Sequence, residues 1–338
     1  MSRRGLILFL LTGVFWGLPY FFIAIALDSF STPTIVFART FIGALVLVPY
    51  AIMTGAAKKV WKAWPYVLLF AALEMVGPWW LITEAERYIS SGLAGLLISV
   101  VPFFAVLIAY FFQGDKSVKH PKTVFGLVVG FLGVVLLVGI DSLTGFAEPL
   151  WVGATILAAL GYAIAPAIAA QKMGNIESVG VISMSMGLVA IIYAPSALSN
   201  LPGEIAANPP LVSWVSLVVL GVVCSALAFV LFFALFKEIG SARATLITYM
   251  NTAVALVLGI AFLNEPLTVG IIVGFPLVLI GSWYSVRRHE SKQGTDATVG
   301  SGAGLGTDAG ISAPGEGGKP PIMAAGAGHR PASEVQTE

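Results

Sequence analysis

One carboxylate interrupts an otherwise apolar stretch: Glu74, about nine residues into the run that begins near residue 65. An ionised carboxylate near the middle of a bilayer is disfavoured by at least a few kcal/mol unless it is paired, hydrated or protonated. It is therefore either a cavity-lining group that binds a cationic or ammonium-bearing solute or takes up a proton, or a protonated glutamate bonded to a neighbouring helix. Arg39 is the complementary group, about six residues inside the end of its own apolar run and shallow enough to snorkel. It can pair with Glu84 or Glu86 on the adjacent run, or offer a planar, bidentate fork to a solute carboxylate. Small and polar residues recur at helical spacing in two further runs. Gly92, Gly95, Ser99 and Pro102 share one face of the first, and Thr245, Tyr249 and Thr252, with Asn251 beside them, one face of the second. Such faces can line a pathway or simply pack tightly. Trp16 and Tyr20, one turn apart, and Tyr162 could form an aromatic wall for an organic solute or cation, or be packing residues.

Other chemistries lack their residues. His120, His289 and His329 show no spacing for a metal site or a catalytic triad, and the single cysteine, Cys224, forms no internal disulfide. No phosphate-binding loop or dinucleotide fingerprint occurs, so the chain is expected to be no enzyme and to hold neither cofactor nor metal. A net charge of +1 with no basic face argues against nucleic acid as a partner.

The elements that position these groups follow from composition. With 338 residues, 58% hydrophobic and only 10% charged, and a mean hydropathy of +0.93, there is more apolar side chain than a soluble core could bury. Ten apolar runs have the length a hydrocarbon slab demands, near 5–27, 33–53, 65–84, 90–112, 122–140, 149–170, 178–198, 211–235, 241–262 and 267–286. In lipid such runs satisfy their backbone groups as helices, so the expected fold class is an all-α integral membrane protein. Trp61 and Trp64, beside Lys62, suit interfacial anchoring. Arg3-Arg4 before an apolar run ending in Ala24-Ile25-Ala26 resembles a signal peptide, but the run is too long, so no cleavage is expected.

The runs are duplicated. Ile89-Ser90-Ser91-Gly92 aligns with Ile239-Gly240-Ser241-Ala242, Ala105 with Ala255, Phe112 with Phe262 and Asp115 with Glu265, all at a constant offset of about 150. Residues 1–140 and 141–288 are thus two five-helix repeats, and an odd count inverts the second relative to the first. Placing both termini in the cytoplasm puts fourteen lysines and arginines at or near the inner ends of the runs and leaves Arg87 alone at the outer ends. Both repeats close on matched glycines, Gly126/Gly130 and Gly270/Gly274, at the spacing that lets backbones approach. Residues 289–338 are rich in Gly, Ala, Ser and Thr and read as a disordered cytoplasmic tail.

Phe15-Trp16-Gly17, Arg39, the stretch from Tyr88 through Gly95 to Pro102, and Ile239 through Asn264-Glu265-Pro266 to Gly274 and Gly281 resemble the drug/metabolite transporter superfamily, and within it the ten-helix EamA-type family, over residues 5–286. The departure from the family pattern is Thr252, where a proline matching Pro102 is common. The resemblance implies a multi-pass inner-membrane carrier of small molecules, usually an exporter, with a central cavity between its halves. Amino acids or similar small metabolites or drugs are then the expected cargo, moved by alternating access and with protons as a possible partner. An importer or exchanger is the alternative within that class, and a non-transporting scaffold the alternative outside it. The expected cavity residues are Glu74, Trp16, Tyr20, Ser99, Tyr162, Tyr249 and Asn251. Arg39, Glu84, Pro102, Gly126, Gly130, Gly270 and Gly274 are expected to act in structure or gating. Oligomeric state is not legible.

Overall fold

The computed structural model describes residues 2–113, 119–143, 148–174, 176–239, 247–281 and 283–284. Among them the elements are helices, with no strand element. Seven are long and apolar enough to cross a membrane: α1 (Arg3–Leu27), α2 (Thr32–Met53), α3 (Trp64–Ala85), α4 (Ser91–Phe112), α6 (Pro149–Lys172), α7 (Ser178–Ala206) and α8 (Leu211–Ile239). Shorter apolar helices are α5 (Pro121–Leu143, apolar over Pro121–Leu137), α9 (Ile247–Phe262) and α10 (Val269–Gly281). The expected tail, Asp115, Arg243 and Thr245 lie outside the described residues.

Local chemistry sets the helix ends. Ser2 caps α1 by accepting from the Gly5 N–H, and prolines occupy the first turn of α2, α3 and α6, where no N–H is missed. Asn208 and Asn264 take left-handed backbone conformations (φ 55° at each) in the turns before α8 and α10. The second turn aims Glu265 at the start of α4. Its carboxylate accepts from the Ser91 N–H at 2.6 Å and the Gly92 N–H at 2.9 Å, placing negative charge on a helix N-terminus. Gly259 leaves the room, since a Cβ there would collide with the Glu265 carboxylate.

Bonds at the two ends of the bundle show which helix ends lie together. At one end the Ser31 N–H donates to Glu204 at 2.7 Å, Ser29 bonds Ser213 at 3.0 Å, and Arg87 reaches the Phe30 carbonyl at 3.2 Å. At the other, Ser2 bonds Glu238 at 2.6 Å and Lys59 meets Glu177 at 3.9 Å.

Packing crosses between the first five helices and the rest. α2 lies along α7, and α4 along α9. α1 packs on α8 and α9, while α6 packs on α3 and α4. Exchanging each helix for its counterpart 150 positions on, α1 for α6 or α3 for α8, turns one of these pairings into another. α5 meets α10 through glycines: a Cβ on Gly281 would collide with the Gly130 backbone and lie 2.6 Å from the Gly126 carbonyl, and one on Gly274 would lie 2.7 Å from the Gly133 carbonyl. Gly270 is buried at the start of α10. On the outside of the bundle Leu45, Phe131, Ile191, Leu211 and Val257 stand exposed. Apolar side chains facing outward along helices of this length mark a multi-pass membrane protein.

Candidate functional site

α3 and α8 each contain one widened, π-helical turn, over Ala72–Val76 and Val222–Leu227. In α3 the cause is legible. Pro78 has no N–H for the Glu74 carbonyl and its ring crowds that oxygen, so the preceding Gly77 N–H reaches back five residues to Ala72. The turn is secured by Tyr193, whose hydroxyl donates to the Val76 carbonyl at 2.8 Å. α8 has no proline there; the Ala228 N–H bonds Val223, and the Ser225 hydroxyl donates to the Leu220 carbonyl at 2.8 Å, again five residues back. Glu74 and Cys224 stand at equivalent places in the two turns, at the offset that relates the duplicated segments.

Beside the first of these turns lies a cavity of about 180 Å³. α1 contributes Trp16, Pro19, Tyr20 and Ile23, α2 contributes Arg39, and α3 contributes Glu74, Trp79 and Ile82. Ile98 and Val101 of α4, Tyr162 of α6, Phe229 of α8, and Thr248 and Asn251 of α9 complete it. The aromatic wall is itself held in place. Trp16 packs edge-on against Phe229 at 5.5 Å and on Phe232 at 4.6 Å, and Tyr20 is buried against Gly95.

Arg39 is only 8% exposed, so its charge must be met by the protein or by what enters the cavity. Its Nε donates to Ser225 Oγ at 2.8 Å, and its guanidinium lies 3.8 Å from the centroid of the Trp79 ring. No bond to its two Nη groups is formed among the described residues, and Arg39 is one of the residues that line the cavity. The expected pairing with Glu84 or Glu86 is not what the structure shows. Glu84 accepts from the Thr32 hydroxyl and meets Arg87 at 3.4 Å, while both Glu86 oxygens are buried without a hydrogen-bond partner among the described residues. Glu74 lines the cavity from its widened turn, and its Oε2 is buried with no hydrogen-bond partner among the described residues. A cation and a carboxyl thus share one aromatic-walled chamber without being an ion pair.

Of the other expected cavity residues, Trp16, Tyr20, Tyr162 and Asn251 stand in its wall. Ser99 does not: it is fully buried and donates to the Leu96 carbonyl at 2.6 Å, where α4 breaks ahead of Pro102. Tyr249 faces a separate groove with Leu279, Ile280, Trp283 and Tyr284. Thr252, in place of a proline, leaves α9 unbroken, and its hydroxyl lies 3.1 Å from the Gly95 carbonyl and 2.8 Å from that of Thr248. Sequence reasoning missed Trp79, Ser225, Phe229 and Thr248. Only Ser225 carried a signal, sitting one residue beyond the counterpart of Glu74.

Comparison with known proteins agrees with this architecture. The EamA-like transporter family matches the chain twice, over residues 3–139 and 149–287. An "Uncharacterized transporter" of Archaeoglobus fulgidus is 26% identical, the match covering 82% of this chain and 97% of that one. A "Probable terminal-alkyne amino-acid exporter" of Streptantibioticus cattleyicolor is 25% identical over 80% of this chain and 87% of its own. The "Uncharacterized inner membrane transporter YedA" of Escherichia coli is 23% identical over 79% and 87%. A solved protein structure shares the fold with a TM-score of 0.57 at 21% identity, covering 86% of this chain and 99% of its own. With the family matched over both halves of the apolar region, the chain belongs to the EamA-like transporters.

Proposed function

We propose that the protein exports amino acids, or small zwitterions like them, across the inner membrane by alternating access. The observation that carries this reading is the chamber holding Arg39, which is buried, and Glu74, whose Oε2 is buried, with neither spent on the other. Free Nη donors suit a carboxylate and the free Glu74 oxygen suits an ammonium, while Trp16, Tyr20, Tyr162 and Phe229 suit an apolar side chain. At about 180 Å³ the chamber is below the ~300 Å³ at which drug-sized sites begin, which favours a small metabolite.

The chain is taken as ten spans in two inverted five-helix repeats, 1–140 and 141–288, with both termini and the 289–338 tail in the cytoplasm. The two family matches, the exchange-symmetric helix pairings and the distribution of basic residues support this. The amino-acid exporter among the relatives supports the cargo class and direction, and YedA supports the inner membrane. The test is a panel of labelled amino acids in proteoliposomes, with and without an imposed pH gradient. Saturable flux of at least one, reduced by Glu74→Gln and by Arg39→Lys, is expected. Flux no greater than in empty liposomes across the panel would overturn the cargo assignment.

A further inference from the structure

Four glutamates gather at the end of the bundle where α3 finishes, and three are engaged. Glu84 holds Thr32 and Arg87, Glu204 accepts from the Ser31 N–H, and Glu265 caps α4 through two amides. Glu86 differs. It follows α3 directly, both carboxylate oxygens are buried, and neither has a hydrogen-bond partner among the described residues. A carboxylate so placed, if ionised, would forfeit its hydration with nothing in return, an expense of several kcal/mol.

The charged and titratable groups around it come from every element that packs there. α1 presents Tyr20 and α2 presents Arg39, both within electrostatic reach of Glu86. The turn before α10 presents the Glu265 carboxylate, and α3 itself adds Glu84 and Arg87, which hold one another. α6 presents Tyr162 toward Tyr20, Glu74 and Arg39, and its capping Glu148 is exposed. From α7 the nearest such groups are Tyr193, bonded to Val76, and Glu204. Burial first, and then the Glu265 carboxylate, push the Glu86 carboxyl above the usual carboxylate range, while Arg39 pulls the other way.

We propose that Glu86, about one helical turn beyond the cavity-lining Ile82, is a proton-binding site and that Arg39 is shared between it and the cargo. In the state seen here Glu86 carries the proton, and Arg39 turns its free Nη groups to the cavity. Loss of that proton to water at the outer side leaves a carboxylate that draws the guanidinium off Trp79 and so weakens the hold on a cargo carboxylate. Each cycle thereby links release to a change in protonation at Glu86. The proposal rests on the transporter reading but not on amino acids as cargo.

Its test needs no cargo. Infrared spectra of the purified full-length protein in detergent are expected to show, at neutral pH, the carbonyl stretch of a protonated carboxyl, shifted in heavy water. Glu86→Gln removes about one glutamate's share of that band; Glu74→Gln leaves this share in place. Raising the pH abolishes it in the wild type and changes tryptophan emission with the same midpoint, and Trp79→Phe removes the emission change. A wild-type band absent at neutral pH, or left undiminished by Glu86→Gln, overturns the proposal. Should Glu86→Gln fail to fold, the wild-type titration decides alone, since coincident midpoints are required. Empty proteoliposome panels combined with a positive infrared result would refute the cargo class and spare Glu86.

Discussion

Arg39→Lys separates a cargo ligand from a structural cation, because lysine keeps the charge and discards the geometry. Arginine here bonds Ser225 through Nε, stacks on Trp79 and lines the cavity, with neither Nη group bonded among the described residues. A lysine ammonium can satisfy one of these demands at a time. A hydrogen bond to a charged group contributes about 1.5–3 kcal/mol, so losing one arm of a bidentate carboxylate contact should weaken binding ~10- to 150-fold. The assay is counterflow in proteoliposomes with two probes, an amino acid that the panel identifies and the amine left when its carboxylate is removed. In the wild type the amino acid should exchange at concentrations ~10- to 150-fold below the amine. In Arg39→Lys that gap should shrink to less than about threefold, mostly by loss for the amino acid. If both probes lose the same factor, Arg39 acts through Ser225 and Trp79 on the shape of the chamber, and the carboxylate assignment fails.

The other predictions address charge, hinge and packing in turn. Glu74→Gln should weaken an amino acid by about 1.5–3 kcal/mol, ~10- to 150-fold, yet leave its 2-hydroxy analogue, which has no ammonium, within about threefold of wild type; competition in the same counterflow assay reads both. Pro78→Ala restores a donor for the Glu74 carbonyl, so the turn should tighten toward α-helix and swing Glu74 by roughly one residue, ~100°. Protection of a cysteine placed at position 74 from a water-soluble thiol reagent should then change against the same cysteine in the Pro78 background. Gly281→Ala drives a Cβ into the Gly130 backbone, an overpacking worth about 1–3 kcal/mol or more. Thermal unfolding in detergent should fall by roughly 2–12 °C, whereas Gly153→Ala, with nothing within 4 Å, should not destabilise.

What the sequence exposed and what it hid have physical reasons. Hydropathy located the helices because lipid imposes a length, and it erred where helices outrun the slab: α7 continues to Ala206 through Ser196, Ser199 and Asn200, past Pro195 and Pro202, each of which removes a backbone donor without ending the helix. Glu74 and Arg39 stood out as charge in apolar runs, but their partners did not. Depth alone matched Arg39 to Glu84, and depth says nothing about Thr32 and Arg87, which claim Glu84. On α9 the spacing singled out Tyr249 and Thr252, yet both stand outside the cavity, Tyr249 on a separate groove and Thr252 against Gly95. The cavity face, Thr248 and Asn251, is rotated by about one residue, ~100°. Helical spacing tells which residues travel together and not which way they look.

A duplicated scaffold has produced an unequal site, and the inequality bears on how the proposed cycle can run. Both charged poles come from the first matched segment, Arg39 on α2 and Glu74 on α3. The second supplies uncharged wall: Tyr162, Phe229, Thr248 and Asn251, with Cys224 where the first has Glu74. If the halves rock against each other, a zwitterion held by α2 and α3 keeps its two charge contacts while the facing wall slides past. The buried charges are then never separated in mid-membrane, where an unpaired ion would be most disfavoured. Among the described residues the one polar tether between the poles and the opposite half is Arg39 Nε to Ser225, set in a widened turn that also satisfies the Ser225 hydroxyl through Leu220. Ser225→Ala cuts that tether together with the hydroxyl's bond to the Leu220 carbonyl inside α8. The orphaned Arg39 Nε–H then sits buried, so the state seen here should lose about 1–3 kcal/mol against its alternative. Cysteine accessibility at Ile82, on the cavity wall toward the Glu86 end, should rise ~5- to 150-fold at unchanged Tm in Ser225→Ala. A fall in Tm with unchanged accessibility would make the tether a matter of stability and remove it from the cycle.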